Sequence, residues 1–156
     1  MPIRNPADLI EDLPEKSCLM GLDAGEKTIG MAVSDPGLSI ASPLDTVRRG
    51  RKASADYDQV VAFAKARNVG GFVLGMPVNM DGTAGPRAQA TRAFARNLLA
   101  KIDLPLVMWD ERMSTQAVTR TLLDADMSRA KRAEVVDKMA AAFILQGYLD
   151  WLRIGR

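Results

Sequence analysis

Cys18-Leu19-Met20-Gly21-Leu22-Asp23-Ala24-Gly25-Glu26-Lys27-Thr28-Ile29-Gly30-Met31-Ala32-Val33-Ser34 is the stretch on which the fold turns. Its first five residues form a short apolar run of strand length, and the run ends in a carboxylate at Asp23. Ala24-Gly25-Glu26-Lys27 is turn-like, and residues 28–34 read as a second strand paired to the first. Asp35-Pro36-Gly37 is a strong turn signal, after which residues 38–47 read as a third strand interrupted at Pro43. Three strands in hairpin succession therefore lead the domain.

Downstream the pattern changes period. Tyr57, Val60, Val61, Phe63 and Ala64 recur at helical spacing, which predicts a helix over 55–68. Residues 69–74 give a fourth strand that runs into a glycine- and proline-bearing loop over 75–83. A helix follows over 86–100, with Pro86 in the first turn, where proline is tolerated. Residues 104–109 form a fifth strand ending in Asp110-Glu111-Arg112, and Ser114 or Thr115 can cap a helix reaching about Leu123. Residues 131–152 make a long last helix. Strands in hairpin order followed by strand–helix alternation imply an α/β fold, a five-stranded mixed sheet flanked by helices, with the first strand central. Residues 1–16 read as a short N-terminal leader with one or two helical turns, and 17–156 as one domain.

Composition narrows the chemistry. With 156 residues, 47% hydrophobic and 26% charged, the chain can bury one core without disulfides or structural metal. It contains no histidine and one cysteine, Cys18. Ser-His-Asp and Cys-His catalysis and every His- or Cys-built zinc cage are thereby excluded. Carboxylates, lysines, hydroxyls or an oxygen-ligated metal remain. A lone cysteine suits a reducing cytosol. No apolar run approaches the ~20 residues of a membrane span, and the acidic, proline-punctuated start lacks the order of a signal peptide. The expectation is a cytoplasmic protein with no membrane partner. Net charge is only +2, so nucleic-acid affinity requires a local basic patch.

Three carboxylate positions stand out by context. Asp23 ends the first strand and Glu111, with Asp110 beside it, ends the fifth; ligands of open α/β sheets gather outside the carboxyl ends of strands. On the last helix, Asp137, Ala141, Ile144 and Tyr148 share one stripe at ~100° per residue. A carboxylate on an apolar stripe is costly to bury unless paired or metal-bound. Each has a plainer reading: a turn aspartate bonding the backbone of Gly25 or Glu26, a surface ion pair, or a pairing of Asp137 with Arg112. Together, in a chain without histidine, they favour an oxygen-only site suited to Mg²⁺ or Mn²⁺. Lys27, Arg112, Lys131 and Arg132 are candidates to contact flanking phosphates, and Arg48, Arg49, Arg51 and Lys52 form a basic stretch near them.

The motif running from Gly21 to Ala32 resembles the opening motif of the YqgF (RuvX) family. Gly75-Met76-Pro77 followed by Asp81-Gly82-Thr83-Ala84-Gly85-Pro86 is similar to a second family motif, and Asp110-Glu111-Arg112-Met113-Ser114-Thr115 to its central acidic one. Val136-Asp137-Lys138 leading into Ala140-Ala141-Ala142-Phe143-Ile144-Leu145-Gln146 resembles the final helix. The resemblance implies an RNase H-like fold and a nuclease that processes the 5′ end of 16S rRNA precursors, or a relative of Holliday-junction resolvases acting on branched DNA. It puts the acidic roles on Asp23, Glu111 (with Asp110 beside it) and Asp137. Such a protein would act as a monomer or a homodimer. Two rivals remain: a non-catalytic nucleic-acid-binding assembly factor on the same fold, and a phosphotransferase whose phosphate loop would be Asp23-Ala24-Gly25.

Overall fold

The computed structural model describes residues 3–77, 85–110 and 129–154, and only the backbone of residues 4, 12 and 129–137. Strands β1 (Ile3–Arg4), β2 (Cys18–Ala24), β3 (Thr28–Ser34) and β4 (Ala41–Arg48) precede helix α1 (Ala53–Ala66). Strand β5 (Val69–Met76), helix α2 (Pro86–Lys101), strand β6 (Leu106–Asp110) and helix α3 (Arg129–Ile154) follow. One sheet takes the order β1-β6-β5-β2-β3-β4. The five expected strands are present and β2 is interior, parallel to β5 and antiparallel to β3. A sixth strand widens the sheet: Ile3 and Arg4 pair in parallel with Leu106 and Val107. Two residues carry no readable period, so that strand was invisible in the sequence. The helix expected after Ser114 or Thr115 lies outside the described residues. Helix α1 stops short of its expected end because Asn68 takes a left-handed φ of 54°.

Successive strand residues face opposite sides of the sheet, and the side chains sort accordingly. Met20, Leu22, Ile29, Met31, Val47, Phe72, Leu74 and Leu106 pack with Tyr57 and Phe94 under α1 and α2. Leu19, Ala32, Val73 and Val107 pack on the other face, against Ala141, Leu145, Tyr148 and Leu149 of α3. Fully burying one such side chain stabilises by roughly 1.5–3 kcal/mol. The segment before β2 belongs to this second layer: Leu9 is fully buried in it, and the Tyr148 hydroxyl donates to the Pro6 carbonyl at 2.6 Å. Cys18 is buried at the far end of β2, and burial pushes its thiol pKa up. The outer edge is β4, where Pro43 and a register shift between Met31 and Ala32 interrupt a regular ladder.

Gly21 lets α3 lie close on β2. A Cβ there would stand 2.6 Å from the Ala141 carbonyl oxygen and 2.7 Å from Leu145 Cβ. At the opposite end of the sheet, Asp35 organises the β3–β4 turn. Its carboxylate accepts the N–H groups of Ile40 and Ser39, both at 2.8 Å, and the Ser39 hydroxyl at 2.9 Å. Those donors, Ile40 first, hold its pKa at about 2. A depressed carboxylate pKa contributes stability above the unfolded value of about 3.9, and that contribution is lost as pH falls toward about 2. Asp35→Ala is therefore expected to lower the urea midpoint at pH 5. The gap from the unsubstituted protein should close between pH 4 and pH 2; a gap independent of pH would contradict this.

Candidate active site

Asp23 sits one residue before the end of β2, half-buried. Its side follows from its neighbours. Met20 and Leu22 belong to the layer under α1 and α2, whereas Leu19 and Gly21 face α3, so alternation puts Asp23 on the α3 face. Its partner across the β2–β3 ladder is Gly30. Leu22 pairs with Leu74 on the other side, and continuing that register one residue brings Gly75 beside Asp23. Beyond these glycines, Gly30 pairs with Thr46 and Gly75 with Trp109. The row across the sheet at this level is thus Thr46, Gly30, Asp23, Gly75, Trp109. Neither cross-strand neighbour of Asp23 in that row carries a side chain.

Helix α3 runs antiparallel to β2 over this face. Ala141 and Leu145 lie over Gly21. Further along the helix, the Gln146 side chain accepts from Ala41 N–H and donates to the Ser39 carbonyl, and Ala41 pairs with Ser34, whose hydroxyl accepts the Leu19 N–H. Moving toward the helix N-terminus is therefore moving toward Asp23. From Gly21 to Asp23 is about 6.6 Å along the strand, and from Ala141 back to Asp137 is about 6 Å along the helix. The matched rises bring the backbone of Asp137 to the level of Asp23.

Asp110 does not join them on that face. Leu106 and Met108 of β6 pack under α1 and α2, while Val107 and Trp109 pack with α3. Alternation then turns Asp110, exposed at the strand end, to the side opposite Asp23. Glu111 and Arg112 lie outside the described residues. Lys131 and Arg132 are on the first turn of α3, with only their backbone described. Lys27 is exposed in the β2–β3 turn, and its carbonyl accepts the Arg49 N–H at 2.8 Å. Among the described residues no three acidic, His or Cys side chains converge. What the structure does bring together is Asp23 and the backbone of the helix turn that carries Asp137, at a level of the sheet where Gly30 and Gly75 flank Asp23. Carboxylates at those two positions are of the chemical type that suits a hard divalent ion.

Other contributors were missed by the sequence reading. Gly30 and Gly75 frame Asp23; a glycine inside a strand signals close approach, but Gly75 was expected in the loop after the fourth strand, whereas β5 extends to Met76. Trp109 borders the site and packs edge-on against Tyr148, centroids 5.5 Å apart, with Trp151 at 5.7 Å. Asp56, buried at the start of α1, accepts the Gly50 N–H at 3.1 Å and so fixes the basic loop after β4.

Comparison with known proteins gives the family and the fold. The family model described as RuvX, Holliday junction resolvase, matches residues 17–151. A protein of Paramagnetospirillum magneticum is 57% identical over 150 residues, 96% of each chain. One of Roseobacter denitrificans is 54% identical over 158 residues, 100% of this chain and 96% of that one. Both bear the name "Putative pre-16S rRNA nuclease". Among solved structures, RuvC of T. thermophilus in complex with a Holliday junction substrate superposes with a TM-score of 0.53 at 12% identity, covering 89% of this chain and 96% of that one. That likeness is one of fold, and it is the RNase H-like α/β fold expected.

Proposed function

The chain belongs to the RuvX family, and from that premise we propose that it is a divalent-metal-dependent endonuclease that processes the 5′ end of pre-16S rRNA. The observation that carries the mechanism is the placement of Asp23 on the α3 face, between Gly30 and Gly75, at the level of Asp137. In this reading Asp23, Glu111 and Asp137 hold Mg²⁺ or Mn²⁺. Asp110, turned to the opposite face, leaves the ligand role to Glu111. When bound, the ion supplies Lewis acidity and offsets the negative charge of the phosphodiester. The chain's own contribution is to hold carboxylates on rigid elements, to flank Asp23 in its row with two glycines, and to place cations where flanking phosphates run. Lys27, Arg112, Lys131 and Arg132 are those cations.

The substrate class comes from the names of the relatives. A second reading, cleavage of a four-way DNA junction, is favoured by the family's description as a Holliday junction resolvase. It would require two sites acting together, hence a homodimer, where rRNA trimming needs only a monomer. No described helix is long and apolar enough to cross a membrane, in keeping with a cytoplasmic role.

The test is a cleavage assay with the purified chain, a 5′-extended 16S precursor fragment and a four-way junction, each in Mg²⁺, Mn²⁺ or chelator. Metal-dependent shortening of the precursor, abolished by chelator, is expected. Preferential cutting of the junction would transfer the assignment to the second reading. Binding without cleavage in either metal would leave an assembly factor, and ATP hydrolysis would point to a phosphotransferase.

A further inference from the structure

The basic stretch Arg48-Arg49-Gly50-Arg51-Lys52 offers several cations that the sequence does not distinguish. The sheet register separates the first two. Arg48 is the last residue of β4 and pairs with Thr28. Ile29 and Val47, paired with each other, both lie in the layer under α1 and α2. Thr28 and Arg48 therefore fall on the opposite face, the one that carries Asp23. Arg49 turns the other way: its Nη1 donates to the Gly25 carbonyl at 2.9 Å, and its guanidinium lies 5.7 Å from the centre of the Phe94 ring. Phe94 belongs to the layer under α1 and α2.

We propose that Arg48 contacts a substrate phosphate flanking the scissile one, on the β4 side of the site, and that Arg49 is a structural tie between the β2–β3 turn and α2. The proposal rests on the nuclease reading and adds a binding residue to it. Thr46 is level with Asp23, two strands away, so the lateral offset is about 10 Å, and Arg48 stands about 7 Å further along the strand. That offset is too long for a ligand of the same ion and suits a neighbouring phosphate on a backbone crossing the strand ends. Arg48 is exposed, and its guanidinium presents a planar fork matched to two phosphate oxygens. Gly30 leaves no side chain on β3 between Asp23 and Thr46 to obstruct that path.

Binding of the 5′-extended precursor fragment, measured against salt in chelator so that no turnover occurs, tests this in Arg48→Gln, Arg48→Lys and Arg49→Gln. Arg48→Gln is expected to lower the slope of log affinity against log salt by about 0.7–0.9, the share of one phosphate contact. In Mg²⁺ its loss should fall on KM. Arg48→Lys should keep most of the slope. Arg49→Gln should keep the whole slope but unfold at a lower temperature. An unchanged slope in Arg48→Gln, or a slope lost in Arg49→Gln instead, overturns the proposal, as does failure of the unsubstituted chain to bind. Failure of the nuclease reading is read separately, as absence of cleavage by the unsubstituted chain in Mg²⁺ while the binding slopes stand.

Discussion

Asp23→Asn is expected to abolish metal-dependent cleavage while leaving the fold in place. Asparagine keeps the size of the side chain, removes its charge and turns one acceptor oxygen into an NH2 donor. The backbone at this position is held by its ladder pairing to Gly30. In the proposed mechanism the chemistry does depend on the carboxylate: the chain has no histidine and Cys18 is buried at the far end of the strand, so carboxylates are the ligands left for a hard ion. Losing an outer-shell partner of a metal ligand typically costs 10–100-fold in affinity or activity, so losing the ligand should cost well beyond about 100-fold. If the carboxylates converge, removal of one charge relieves repulsion, and the metal-free variant should unfold at the same temperature or slightly higher. The measurement is precursor cleavage in Mg²⁺ beside a thermal melt. A variant that melts normally and still cuts at the unsubstituted rate would exclude Asp23 from the chemistry.

Gly21→Ala is expected to lose activity out of proportion to stability. The added methyl group would meet the Ala141 carbonyl, which is backbone and cannot swing aside, so α3 must lift from β2. Overpacking of this kind costs typically 1–3 kcal/mol. For a chain of this size each kcal/mol lowers the melting temperature by roughly 2–4 °C. The same lift displaces Asp137 from the level of Asp23, because Ala141 is one helical turn away. Gly70→Ala is the matched control. A Cβ there would crowd the Ser17 side chain and Pro14 at the opposite end of the sheet, so it should also lower the melting temperature yet leave kcat intact. Equal losses of kcat in the two variants would show that cleavage follows stability alone, not the seating of α3.

Much of this arrangement was legible in the sequence, and the remainder was hidden for identifiable reasons. The hairpin signals around residues 24–27 and 35–37 and the later strand–helix alternation led to the sheet and to Asp23 at a strand end. The side of Asp110 could not be read, because Leu106-Val107-Met108-Trp109 is apolar at every position. A strand buried on both faces has no polar phase to say which face is which. Arg48 and Arg49 look alike for a related reason: adjacent residues of one type acquire different roles only once Val47 is assigned to a layer. Strand β1 was missed because its partner, β6, lies a hundred residues further on, where no local pattern can announce it.

The pairing of β1 with β6, and the covering of one sheet face by α3, also govern the order in which the molecule can assemble. The β2–β3–β4 meander joins segments close in sequence and can form early; the two later closures bridge long stretches of chain and form slowly. On the ribosome, β1 must wait for Leu106 and Val107 to emerge. The face carrying Leu19, Ala32, Val73 and Val107 must wait for α3. At the roughly 5–20 residues per second of synthesis, that apolar face stays open to water for some seconds. The nascent chain in that interval is an aggregation-prone species that the finished protein no longer resembles, and the step that ends its exposure is the one that carries Asp137 to Asp23.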